Sequence, residues 1–189
     1  LTGSDTAYFA GFGVGLDVDG DRAVIGAWNA STTGAAFIFE RGPNGDWIEV
    51  DRLTPSGPQE DRVFGGAVAI QGDRVLIGAQ MSGDSLPGAG AVYVFDEQGS
   101  GNWVQTQRLT GSGSADEDAF GWAIDFEDDV AAITAIAHED GTQGAVYLFE
   151  DENGQLVERE KMMNPLPTEA RYGHTPSIHG DRCLLYTSD

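Results

Sequence analysis

Phe64-Gly65-Gly66-Ala67-Val68-Ala69-Ile70, Gln71-Gly72-Asp73-Arg74 and Val75-Leu76-Ile77-Gly78-Ala79 form the stretch whose reading decides the fold. A run rich in glycine and alanine meets a continuously apolar run through a short Gly-Asp turn. Small side chains suit an innermost strand, where neighbouring sheets crowd a common axis. The unbroken apolar run is what a strand covered on both faces requires. A third strand, Ala91 to Phe95, follows a Gly-rich loop, and Trp103 to Leu109 supplies a fourth. That last strand mixes Val104 and Thr106 with Gln105, Gln107 and Arg108, which fits a solvent-facing edge where Arg108 discourages edge pairing.

The whole pattern recurs. Phe-Gly stands at Phe12-Gly13, Phe64-Gly65 and Phe120-Gly121, with Tyr172-Gly173 as a degenerate copy. Gly-Asp-Arg follows at Gly20-Asp21-Arg22, Gly72-Asp73-Arg74 and Gly180-Asp181-Arg182, and a Gly-Ala-apolar-aromatic-apolar-Phe run returns at Gly34–Phe39, Gly90–Phe95 and Gly144–Phe149. A period of about 54 residues made of short strands marks a propeller array. Strands are predicted at Phe12–Val18, Ala23–Ala27, Ala35–Phe39 and Trp47–Leu53 in repeat one. In repeat three they are predicted at Phe120–Phe126, Val130–Ala135, Ala145–Phe149 and Leu156–Met162. The expected fold is all-β: a propeller fragment of three four-stranded antiparallel blades with partial blades at each end.

The expected segments are 1–11 (end of a preceding blade), 12–63, 64–119 and 120–171 (three repeats), and 172–189 (start of a fourth). Leu1-Thr2-Gly3-Ser4 repeats Leu109-Thr110-Gly111-Ser112, so the chain is expected to begin where an outer strand ends. From Cys183 the sequence departs from the Ile-Gly-Ala ending, with Tyr186 where Gly78 stands, and the tail reads as non-native. A ring needs roughly 4–8 blades, so the remaining blades of a longer protein are expected partners.

Of the 189 residues, 31 are acidic and 10 basic, giving a formal charge of −21, and Lys161 is the only lysine. Such a surface repels nucleic acid and anionic lipid, which are bound through Lys/Arg clusters. No apolar run approaches the ~18 residues of a membrane span, and no signal peptide is seen. Cys183 is the only cysteine, so an intrachain disulfide is excluded.

Phe-Gly, an apolar run ending in Gly-Ala, and then Gly-Ala-apolar-Tyr-apolar-Phe together resemble the FG-GAP repeat of integrin alpha-chain propellers and bacterial surface proteins. The resemblance covers residues 1–182. The Gly-Ala-Pro element is incomplete, with Trp28 after Gly26-Ala27, Gln80 after Gly78-Ala79, and Thr134-Ala135 in repeat three. Membership implies a propeller of about seven blades, usually extracellular or on the cell surface, with a role in adhesion or ligand presentation. Many such blades carry calcium between their first two strands, in an Asp-x-Asp/Asn-x-Asp-Gly-x-x-Asp loop. Asp17, Asp19 and Asp21 are the nearest match and the candidate metal ligands, but Arg22 occupies the final ligand position. A tight Asp-Gly hairpin with solvated carboxylates is the competing and favoured reading, so no cofactor is expected.

The long connections between second and third strands and between blades emerge on one side of the array. Variable loops on a rigid scaffold are where binding concentrates, and in integrin-like propellers that side meets the ligand. The candidates are Trp28, Asn29, Met81, Asp84, Asp116, Glu117, Asp118, His138, Glu139 and Asp140. His138-Glu139-Asp140 lacks the paired histidines of a zinc motif. There is no Gly-x-Ser-x-Gly elbow, and glycine-rich Gly11–Gly15 opens a strand rather than a phosphate-binding helix. The sequence therefore favours a non-enzymatic binding or adhesion module for a protein or glycan ligand. The alternatives are a structural spacer, or the propeller of a secreted hydrolase or lyase using axial carboxylates such as Asp17, Asp19 and Asp125.

Overall fold

Each Gly-Asp turn folds an inner strand directly back on its neighbour. In the computed structural model, which describes residues 1–4, 10–56, 63–83, 86–99, 101–136, 144–163, 171–180 and 182–188, β1 (Phe12–Asp19) returns through Gly20-Asp21 into β2 (Arg22–Ala27). The same hairpin joins β5 (Phe64–Gln71) to β6 (Arg74–Ala79). In repeat three the drifted turn Asp128-Asp129 has φ of 49° and 66°. That is the left-handed pair of a type I′ hairpin, which aspartate tolerates better than most residues.

The first sheet continues through β3 (Ala35–Arg41) and β4 (Trp47–Leu53), and the second through β7 (Ala91–Glu97) and β8 (Trp103–Leu109). The third comprises β9 (Ile124–Glu127), β10 (Val130–Ala135), β11 (Ala145–Glu152) and β12 (Gln155–Met163). Strands β13 (Arg171–His179) and β14 (Arg182–Ser188) pair antiparallel, with Cys183 opposite Ile178. The described residues thus form three four-stranded antiparallel blades and a two-stranded sheet, without helices.

The apolar core lies between blades. Val24, Ala36 and Ile38 of the first meet Val75, Ile77, Tyr93 and Phe95 of the second, and the arrangement repeats from second to third. Phe64 and Phe120 each plug such a layer, whereas Phe12 is half-buried against Phe37 and Phe39 of its own blade. Phe64 is fully buried, edge-on to Tyr93 and Phe95 at centroid distances of 5.6 and 6.2 Å, and Phe120 meets Tyr147 and Phe149 in the same way. Edge-to-face rings add about 0.5–1.5 kcal/mol beyond their burial.

The glycines set the spacing between blades. A Cβ on Gly26 would lie 1.9 Å from the carbonyl oxygen of Gly65, and Gly65 itself adopts φ 89°. Gly78 and Gly121 repeat this approach. In the third blade Thr134 replaces the glycine and is fully buried, and its Oγ1 accepts from Ala123 N at 3.1 Å. There the expected strand Phe120–Phe126 shortens to Ile124–Glu127, because Gly121 and Trp122 both donate to the Thr134 carbonyl instead of running straight into a ladder.

Arg108 departs from the expected edge charge. It is half-buried, with its guanidinium 5.7 Å from the Tyr93 ring centroid, and it donates to Tyr93 Oη and Ser82 Oγ. Arg52 over Phe37 and Lys161 over Tyr147 repeat the contact at 5.9 and 5.5 Å. Cross-strand register places each cation directly opposite its ring, where the negative π-face attracts it.

Candidate ligand-binding face

Antiparallel strand order puts the described ends of the β2–β3, β6–β7 and β10–β11 loops on the same side as the described ends of the connections between blades. Backbone hydrogen bonds lace these segments together. Phe64 N donates to Thr33 O, while Glu117, Ala119 and Phe120 donate to the carbonyls of Pro87, Gly88 and Ala89. Ser4 and Ser112 each bond a glutamate of an outer strand, Glu49 and Glu158, through both N–H and hydroxyl, so the two serines make equivalent contacts.

The candidate residues on this side fall into different roles. Trp28, Asn29 and Met81 are exposed, as are Asp116 and Glu117. Asp118 is buried and accepts from Ala115 N at 2.7 Å, so it shapes its loop rather than facing solvent. Asp84, His138, Glu139 and Asp140 lie outside the described residues.

A groove of about 370 Å³ opens on this face, lined by Val14, Trp28, Val63, Gly66, Gln80 and Trp122. Behind Trp122, the ring of His174 lies at 5.8 Å. Most of these residues are not among the sequence candidates. The signal is positional: Val14, Gly66, Trp122 and His174 each follow a Phe-Gly or Tyr-Gly pair, and Trp28 and Gln80 each follow a Gly-Ala. Stacking the repeats in phase brings both sets to one ring. A second cleft, of about 310 Å³, lies between Ser82, Leu86, Arg108, Thr110 and Ser114.

The opposite, hairpin face carries a second set of carboxylates. Asp17, Asp19, Asp125 and Glu127 border a polar funnel of about 260 Å³. Asp17 accepts from Val18 N and, across the blade boundary, from Ile70 N, both at 2.8 Å. Asp19 accepts from Gly72 N at 2.7 Å, and Asp125 from Ile178 N at 2.5 Å. These side chains tie the inner strands of successive blades together. Farther out, Arg22 bonds Asp73 and Glu97 of the next blade at 2.5 Å each, and Arg74 bonds Asp96 together with Asp151 of the third blade.

The calcium candidates do not converge on a point. Asp17 and Asp19 accept backbone N–H groups, Asp21 lies 3.9 Å from Arg41, and the Arg22 guanidinium occupies the next position. Calcium takes ~6–8 oxygens, and among the described residues no group of three or more acidic, histidine or cysteine side chains is placed to hold an ion. The residues do not fit calcium. Asp17→Ala should lower stability by about 1–2 kcal/mol through the lost inter-blade bond. Millimolar calcium should leave the urea midpoints of both wild type and variant unmoved. A calcium-dependent rise in the wild type alone would reassign Asp17 as a ligand.

The FG-GAP repeat family model matches residues 47–95 and 103–149, about half of the chain. This chain belongs to the FG-GAP repeat family. Each matched segment of the FG-GAP chain starts at an outer-strand tryptophan, Trp47 or Trp103, and ends at the third-strand phenylalanine of the next blade, Phe95 or Phe149. The family's unit is therefore offset by one strand from the blade and contains the inter-blade contact. A search of curated proteins found no match. No helix among the described residues is long and apolar enough to cross a membrane.

Proposed function

We propose that this FG-GAP chain is a non-enzymatic binding or adhesion module of an extracellular or cell-surface β-propeller, meeting a protein or glycan ligand through its loop face. The observation that carries this reading is the division of labour between the two faces. The loop face offers an open groove and the exposed side chains of Trp28 and Met81. On the hairpin face, Asp17, Asp19 and Asp125 are engaged with backbone N–H groups of neighbouring strands, which leaves them poorly disposed for acid–base work. Burial, with Asp125 nearby, pushes the Cys183 thiol upward and makes it a poor nucleophile. The charge of −21 favours solubility and disfavours nucleic acid and anionic membranes as partners.

The test is retention of the chain on arrays of glycans and extracellular-matrix proteins. Trp28→Ala combined with Met81→Ser should weaken the strongest retention at least about tenfold, the equivalent of 1.4 kcal/mol. Asp21→Asn, on the hairpin face, should leave it unchanged. The opposite pattern would move the binding surface to the hairpin side and overturn the proposal.

A further inference from the structure

The groove between Trp28 and Trp122 has a chemistry narrower than the loop face as a whole. Its six lining residues carry no charge, on a chain whose formal charge is −21. An anionic ligand is repelled by the surroundings, and a metal cation entering the groove finds no carboxylate in the lining to replace its water. The lining therefore suits a ligand that has apolar surface and no negative charge, and its volume of about 370 Å³ lies at the small-molecule end of the ~300–1,000 Å³ range of ligand pockets.

Two aromatic rings and one amide define its shape. Trp28 is 40% exposed, and the Nε1 edge of its indole rests on Gly11, where a Cβ would come within 2.3 Å of that nitrogen. Trp122 is half-buried and backed by His174. Rings held this way offer a broad apolar face at little cost in side-chain entropy. Gln80 lines the same groove, and its Nε2 donates to the Trp122 carbonyl at 3.2 Å. That bond holds the Gln80 side chain within the groove lining.

The floor of the groove exists because of Gly66. Val14 and Trp122 occupy the equivalent position in the flanking blades, and only the central blade has glycine there. A Cβ on Gly66 would lie 2.8 Å from Gln80 Nε2 and 3.2 Å from Val63 Cγ1, both side-chain atoms of the groove itself. The three nearest atoms all belong to side chains, so adding a methyl group displaces the amide and narrows the groove.

We infer that this groove is a subsite for one neutral pyranose ring of a glycan, an inference that rests on the loop-face reading above. A pyranose presents C–H faces that stack on indoles and a rim of hydroxyls that meets the Gln80 side chain in the lining. Aromatic platforms with a single positioned amide complement that combination of apolar face and polar edge.

The experiment is a tryptophan-fluorescence titration with neutral trimers of glucose, mannose and N-acetylglucosamine, beside the anionic galacturonate trimer and a neutral leucine-containing peptide. At least one neutral trimer should give a saturable shift with Kd of about 1 mM or tighter, and the galacturonate trimer none. Gly66→Ala and Trp28→Ala should each weaken it at least about tenfold while the urea midpoint moves little. Trp122→Tyr, which keeps an aromatic face, should retain most of it. No response to any neutral trimer overturns the assignment, as does a response that Gly66→Ala leaves intact. A shift with the peptide alone overturns it too, while the loop-face reading survives. Only loss of loop-face dependence on the arrays removes both.

Discussion

Gly26→Ala lowers the unfolding free energy of this chain by more than about 4 kcal/mol, whereas Gly20→Ala costs about 1–2 kcal/mol. The two glycines illustrate separate physical demands. Gly20 sits in a hairpin turn at φ 58° with nothing within 4 Å of where an added methyl group would stand, so alanine there meets only the left-handed penalty. Gly26 lies in β2, and its missing Cβ is the space through which the Gly65 carbonyl passes, at 1.9 Å. The obstructing atoms are all backbone of the next blade's inner strand, so no rotamer change relieves the clash. Relief requires the second blade to move away from the first, opening the layer that holds Val24, Ile38, Ile77 and Phe64. Losses above about 4–5 kcal/mol are exceptional for single substitutions and reflect such mechanisms. Urea unfolding of the two variants at matched concentration measures the difference. Equal, small losses would mean that the blades slide freely and that the glycine pair does not set their spacing.

The architecture is legible in the sequence because repetition removes ambiguity that a single copy leaves. One apolar run such as Val75–Ala79 is compatible with a buried helix segment or a strand. The same run following the same Gly-Asp turn in phase is compatible with a blade. The drifted copy is harder to read. Thr134 in place of glycine looks conservative by strand pattern, yet its hydroxyl captures Ala123 N at the start of the shortened β9. The basic residues of the outer strands mislead for a related reason: Arg108 resembles a solvated edge charge until cross-strand register places it over Tyr93. The loop-face groove draws on three blades at once. Trp28 stands out by its position after Gly-Ala, but Trp122 and Gly66 acquire meaning only when the blades are set side by side. Asp118 reads as a presented acid, and its burial depends on a loop hydrogen bond that spacing does not encode.

Arg74→Met costs about 2–3 kcal/mol at pH 7, and that loss shrinks as the pH falls below about 4. Arg74 spans two blades, bonding Asp96 of its own at 2.7 Å, Asp151 of the third at 2.5 Å, and the Gly154 carbonyl at 2.9 Å. The two carboxylates are only 20% and 18% exposed, so removing the guanidinium leaves two poorly hydrated anions facing each other. Breaking a fully buried pair in this way costs about 3–5 kcal/mol, and the residual solvent access here reduces that figure. The pH dependence follows from Asp151, whose carboxyl is held below its ordinary range chiefly by the Arg74 hydrogen bond, with Gly154 N assisting. A carboxylate depressed in the folded state stabilises the fold above its ordinary pKa of about 3.9 and stops doing so as pH falls through the lower folded value. Without Arg74 the main cause of that depression is gone, so wild type and variant converge in acid. Arg159→Met is the matched control: Arg159 bridges Glu150 and Glu152 at the exposed rim of its own blade, where such pairs often contribute nothing measurable. Urea titrations of the three proteins at pH 7 and pH 3 separate the outcomes. A deficit in the Arg74 variant that persists undiminished at pH 3 would assign its effect to lost packing of the side-chain stem, and the inter-blade ion pair would then hold nothing together.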